Sequence, residues 1–251
     1  LWHDEEKVAL EGNKDGNRQQ YTHDLFTDFA LDFISRHSSN PFFLYVAYTI
    51  PHFNMEVPST EPYTDEPWPE NGKVFAAMIT RMDTDVGRIL DLLKELGIDD
   101  NTLVFFCSDN GGAGSGGPMF NSNGLLKGDK GGFDEGGIRT PMIVRWPGKV
   151  PAGNVSDAAW YYADVMPTLV FLDDKHPKVT VVGISVLPVL LGKKQNLDDR
   201  FMYWESPPPR LHQVARWRHW KAWRKSQDKS VELYNLAKDL REEYNVADQH
   251  P

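Results

Sequence analysis

Three short stretches carry side chains suited to chemistry. Ser108-Asp109-Asn110-Gly111-Gly112 sets a carboxylate beside a carboxamide directly after the apolar run 103–107. Both groups offer hard oxygen donors that suit calcium or magnesium. Calcium takes about 6–8 oxygens, so the pair needs ligands from elsewhere. A polar turn closing a strand, with Asn and Gly supplying unusual backbone angles, accounts for the same residues without a metal. His52 follows Pro51, and imidazole is the side-chain type whose unperturbed pKa lies near neutrality, so the residue suits a general acid as well as a turn. Lys130 stands among glycines in Gly128-Asp129-Lys130-Gly131-Gly132. It offers a compact cation to an oxyanion, or it is a solvated loop lysine. Glu135 and Arg139 either join this site or pair with each other and hold the loop shut.

Cys107 is the single cysteine, which excludes an internal disulfide framework and any multi-cysteine zinc site. It ends a run expected to be buried and dry, where a thiol resists ionisation, so it is read as core packing and not as a nucleophile.

These residues require a scaffold. Leu25, Phe26, Phe29, Ala30, Phe33 and Ile34 define one helical face, expected to start at a Thr22 cap and close near His37. The unbroken run Phe42 to Tyr48 predicts a strand covered on both faces. Pro58, Pro62, Pro67 and Pro69 surround Trp68 in an irregular loop. Phe75, Met78, Ile79, Met82, Val86, Ile89, Leu90 and Leu93 keep the helical period up to Gly97. Residues 102–107 and 142–146 predict two more buried strands flanking the Gly-rich stretch. Over 1–191 this order predicts an α/β fold, a mostly parallel or mixed sheet sandwiched by helices. Ligands in such sheets gather beyond the carboxyl ends of the strands, where His52 and Asp109-Asn110 fall.

After Leu191 the texture changes. Short aromatic segments at 201–204, 213–217, 220–223 and 231–234 predict a small antiparallel sheet over 192–251, with a terminal helix near 238–244. Arg210, Arg216, Arg218, Lys221, Arg224 and Lys225 interleave there with Trp217, Trp220 and Trp223. That pattern suits a platform for an anionic sugar or nucleic acid. The preferred expectation is a sheet whose aromatics pack inward while its cations face water.

The 251 residues carry 27 Lys+Arg against 36 Asp+Glu, a net charge of −9. An acidic chain of this kind is no general nucleic-acid binder, which needs clustered positive charge. Hydrophobic residues at 40% and charged residues at 25% describe an ordinary globular chain. No apolar run approaches the roughly 18 residues of a membrane span. Neither an initiator Met nor a secretory signal pattern stands at Leu1, so the chain reads as a piece of a longer protein.

Taken in order, PFFLYVAYTIPH (41–52), MITRMDTDVGRILDLLKELGIDDNTLVFFCSDNGG (78–112), LLKGDKGGFDEGGIRTPMIVRWPGKV (125–150), ADVMPTLV (163–170), GISVLPVLLGKK (183–194) and ELYNLAKDLREEYNVAD (232–248) resemble the sulfatase family of the alkaline-phosphatase superfamily. Tyr21-Thr22-His23-Asp24 extends the resemblance, which covers nearly the whole chain. It implies that Asp109 and Asn110 are two ligands of a divalent metal, usually calcium, with magnesium as the other candidate. It implies that Lys130 and His52 contact the sulfate and its leaving oxygen, and that His52 helps protonate the departing alcohol. A sulfated small molecule or sulfated polysaccharide is the implied partner. Export to the periplasm, the exterior or the lysosome is the implied location, and the sequon Asn154-Val155-Ser156 is too common to settle it.

The family's nucleophile is a formylglycine made in C-x-P-S-R or S-x-P-x-R, and neither motif occurs in these residues. The family's amino-terminal Asp-Asp pair and upstream basic residues are also missing. The expectation is therefore a carboxyl-terminal portion holding half a site and showing no turnover alone. Val181-Val182-Gly183 stands where relatives often carry Asp before the Gly. Two alternatives stand beside this reading. A two-zinc phosphatase, phosphodiesterase or phosphonate hydrolase of the superfamily would carry Asp-His in place of Asp109-Asn110. A non-catalytic module that binds sulfated glycans through Lys130, His52 and the aromatic tail is the other.

Overall fold

His23, Thr27, Ala30 and Ile34 recur at helical spacing, and they are the buried face of α1 (Thr22–His37), which follows a two-stranded hairpin of β1 (Trp2–His3) and β2 (Glu6–Lys7). Thr22 is the first helical residue and not the cap; extended Tyr21 precedes it with no side-chain capping bond. The long helix α2 (Glu70–Glu95) buries Ala76, Ala77, Met78, Asp85 and Leu93. Beyond it, Gly97 at φ +68° donates to Lys94 O and Ile98 donates to Leu93 O, a glycine-dependent helix stop. This computed structural model describes residues 1–114, 117–173 and 180–250. It divides into two compact units, Leu1–Thr102 with Gly114–Asn121, and Leu103–Ala113 with Ser122–Pro251.

In the first unit α1 and α2 are joined by charge. Arg81 grips Asp24 through two hydrogen bonds of 2.6 Å each. Asp85 is buried; it accepts from Thr27 Oγ1 at 3.0 Å, lies 2.9 Å from His23 Nε2, and takes Arg88 on its other oxygen at 2.8 Å.

The run 42–48 departs from expectation. It is extended and alternates half-buried with exposed residues, but it belongs to no ladder. Its inner face packs on α1, with Phe42 edge-on to Phe33 and Tyr48 over His23. Phe43 and Tyr45 point outward, 72% and 75% exposed. A strand covered on both faces needs neighbours on its edges and a second layer, and no described residues supply them. The Pro-rich loop is irregular as expected; Trp68 stacks on Tyr63 and meets Phe120 edge-on.

The second unit begins with β3 (Val104–Cys107), followed by α3 (Glu135–Ile138) and β4 (Met142–Arg145). β3 and β4 pair antiparallel, with Cys107 opposite Met142 and Val104 opposite Arg145. Neither strand is covered on both faces: Phe106 and Ile143 are exposed. Cys107 is half-buried, and its Sγ lies 3.0 Å from the Tyr162 hydroxyl, which corrects the dry setting expected for it.

Two short helices follow, α4 (Val165–Val170) and α5 (Leu187–Leu190). Asp164, fully buried, organises this region: it accepts from Tyr161 N and Ile184 N and is gripped by Arg200.

The tail forms the expected antiparallel sheet, in chain order: β5 (Phe201–Glu205), β6 (Gln213–Trp217), β7 (Trp220–Arg224) and β8 (Glu232–Asn235). Met202, Val214, Trp223 and Tyr234 are its buried apolar residues. Lys221 is buried with them, so the expectation that all the tail cations face water fails at this position. The terminal helix is absent. Residues 238–244 form turns, because Glu242 sits at φ +54° and Asp239 accepts from Glu243 N and Tyr244 N.

Candidate functional site

β3 ends at Cys107, and its polar continuation is pinned at once. The Tyr162 hydroxyl donates to Ser108 O at 3.0 Å, and Ser108 Oγ donates to Asn110 O at 2.9 Å. Asn110 donates its amide nitrogen to Gly111 O at 3.0 Å, which leaves the carbonyl end of the carboxamide as a metal-type donor. Asp109 is exposed and Asn110 half-buried.

The backbone then meets the Lys130 loop. Gly111 N donates to Gly137 O at 3.0 Å, and Lys130 N donates to Gly112 O at 3.1 Å. Asn123 closes the junction, since its Oδ1 accepts from Gly112 N while its Nδ2 donates to both Gly112 O and Gly128 O. Gly136 N bonds back to Lys127 O at 2.7 Å. Such close backbone approach explains the glycines. A Cβ on Gly111 would lie 1.7 Å from Gly136 O, and one on Gly136 would lie 2.4 Å from Gly128 O. Asp109, Asn110 and Lys130 thus share one hydrogen-bonded loop cluster within one unit.

His52 belongs to the other unit. It is exposed at the end of the extended run, with Nδ1 2.6 Å from Phe53 O.

Glu135 lies 3.8 Å from Arg139 at its nearest oxygen, a loose pair. Its closer partner is buried Lys221, which donates to it at 3.1 Å. Lys221 also stands 2.8 Å from Glu242 Oε1, and Glu135 N donates to Glu242 Oε2 at 2.6 Å. Burial raises the Glu242 carboxyl above the ordinary range, against the pull of Lys221.

The donor set suits a hard cation. Asp109 and Asn110 contribute oxygens on a fixed backbone, and calcium or magnesium accepts both types. Among the described residues no group of three or more His, Cys, Asp or Glu gathers around them. Tyr162, Asn123 and the Lys221–Glu242 pair escaped the sequence reading. The glycines at 111–112, 128, 131–132 and 136–137, which allow close backbone approach, are the signal that could have shown these segments meeting.

The sequence model of the sulfatase family matches residues 2–172, more than half of the chain. The chain belongs to the sulfatase family. The model of the N-sulphoglucosamine sulphohydrolase C-terminal region matches residues 128–251. The N-acetylgalactosamine-6-sulfatase of Canis lupus familiaris is 36% identical over 185 residues, 72% of this chain and 34% of that protein. An uncharacterized sulfatase of Escherichia coli, YdeN, is 33% identical over 226 residues, 88% of this chain and 37% of that protein. Among solved structures, Ps i-CgsB in complex with k-i-k-neocarrahexaose superposes with a TM-score of 0.81 at 28% identity, over 94% of this chain and 53% of that one. The chain therefore spans about a third of the curated relatives named here and about half of that structure, and it has the sulfatase fold, that of the alkaline-phosphatase superfamily.

Proposed function

We propose that this chain carries part of the active site of a sulfuric ester hydrolase acting on sulfated carbohydrate. The observation that supports this most directly is the loop cluster holding Asp109, Asn110 and Lys130 together. Sulfate-ester cleavage builds negative charge on the leaving oxygen, and fixed positive charge aimed there lowers the barrier. Asp109 and Asn110 would hold a calcium ion (magnesium is the alternative), and the chemistry it would supply is Lewis-acid stabilisation of sulfate oxygens. Lys130 donates to the sulfate and to the leaving oxygen. For His52, which belongs to the other unit, the family resemblance supports the role of proton donor to a departing alcohol. Neither form of the nucleophile's motif occurs in these 251 residues, which supports the reading that this polypeptide alone does not turn over. A carbohydrate substrate is favoured by the solved relative that holds k-i-k-neocarrahexaose and by Trp68, half-buried on a Pro-rich loop. The family also favours a protein that is exported or lysosomal.

The test uses a turnover-competent longer form that carries a formylglycine motif. Lys130→Ala and Asp109→Ala should each cut kcat/KM for an aryl sulfate by about 10²- to 10³-fold, the usual loss when one charge-stabilising group is removed. Metal analysis should find calcium or magnesium. Two tightly held zinc ions would transfer the chain to the phosphatase branch, and full activity of Lys130→Ala would remove Lys130 from the site.

A further inference from the structure

The Lys130 loop is held by its neighbours in sequence and also by the far end of the chain. Glu242, on the turn after β8, takes Glu135 N–H on Oε2 at 2.6 Å, and its backbone carbonyl takes Lys127 Nζ at 3.0 Å. Lys221, on β7's buried face, sits between the two carboxylates at 3.1 Å from Glu135 and 2.8 Å from Glu242. All three side chains are at most 1% exposed. Arg216 on β6 stands 3.9 Å from the other Glu135 oxygen. Phe133, in the same loop, stacks on His212, which in turn accepts from Trp223 Nε1. The segment 127–137 is thus tied at Lys127, Phe133 and Glu135 to the tail sheet and its flanking turns, while Lys130 N is tied to Gly112 O.

A buried cluster of one cation and two anions is a poor source of stability compared with an apolar core of the same volume. Its value lies in geometry: each group accepts one arrangement of the others. We infer that Glu242, with Lys221 and Glu135, is a set of positioning residues by which the tail sheet fixes the height and orientation of the loop bearing Lys130. This rests on the reading of Lys130 as the sulfate contact. None of the three touches the substrate; they act through the loop backbone.

Two variants of the whole chain separate positioning from plain stability. Glu242→Ala removes the acceptor for Glu135 N–H while leaving Lys221 paired with Glu135, so no lone charge is stranded. Glu242→Gln keeps the acceptor. Amide hydrogen exchange is read by mass spectrometry for the peptide 127–138 and, as internal reference, for 201–217. Glu242→Ala should speed exchange in 127–138 at least tenfold with 201–217 unchanged, and Glu242→Gln should stay within twofold of the parent. Unchanged exchange in 127–138 overturns the inference, as does an equal rise in both peptides or an equal loss in the two variants. If Glu242→Ala does not fold, Lys127→Met removes the half-exposed second tether and should loosen the same peptide selectively; no change there overturns the inference. In a turnover-competent longer form, Glu242→Ala should lower kcat about tenfold with Glu242→Gln restoring it. Full activity of Lys130→Ala in that form would sink the sulfate contact while leaving the exchange result standing.

Discussion

His23 shows how one residue's surroundings set a measurable response. Its ring is fully buried between Tyr48 and Asp85, and burial is the largest influence, lowering its pKa against the opposing pull of Asp85. Arg81 also lowers it, and Asp24 raises it. Between the unfolded histidine value near 6.5 and the lowered folded value, the unfolded chain binds the extra proton more readily. Stability must therefore fall as pH drops below about 6.5, by at most about 1.4 kcal/mol per pH unit. Urea denaturation at pH 7.5 and pH 5.5 should show this loss in the parent and about 1 kcal/mol less of it in His23→Gln; equal losses would discard the assignment. At this scale the sequence was legible unevenly. His52, Asp109, Asn110 and Lys130 stood out because of their types and the family pattern. Lys221 did not, since a lysine inside Trp220-Lys221-Ala222-Trp223-Arg224 reads as a solvent-facing cation, and its carboxylate partner Glu135 lies 86 residues away.

Among elements, the loop cluster turns glycine chemistry into a sharp contrast. Gly111→Ala would push a Cβ to 1.7 Å from Gly136 O, so backbone must shift and the bond from Gly111 N to Gly137 O is strained or lost. A loss of about 1–3 kcal/mol or more is expected, as for other forced overpacking. Gly87→Ala, on α2 with nothing within 4 Å, should instead stabilise by about 0.5–1 kcal/mol through helix propensity. Denaturation midpoints moving in the same direction for both would contradict the close-approach argument. The tail strands were readable because short aromatic segments are separated by turns, and two-residue Arg218-His219 joins β6 to β7 in register. The segment 238–244 misled because its composition is helical; its actual path is set by Glu242 turning inward to Lys221, an effect no local pattern carries.

For the molecule as a whole, the run 42–48 matters most. Apolar and aromatic content marked it as extended, which it is, but covering on both faces depends on neighbours that periodicity cannot count. Phe43 and Tyr45 leave a large apolar surface beside unpaired backbone, a combination that templates association. Light scattering should therefore show concentration-dependent association of this chain, reduced by the double substitution Phe43→Thr and Tyr45→Thr. Unaltered scattering would mean the association surface lies elsewhere.

The buried ammonium of Lys221 has a bearing on strand alignment. Side chains in β7 alternate between faces, so a slip of one residue against β6 would carry Ala222 or Trp220 inward and deprive Glu135 and Glu242 of their shared ammonium. Misaligned pairings of the tail are thereby penalised more heavily than an all-apolar face could manage. A charge placed among tryptophans acts as the registration mark of its own hairpin.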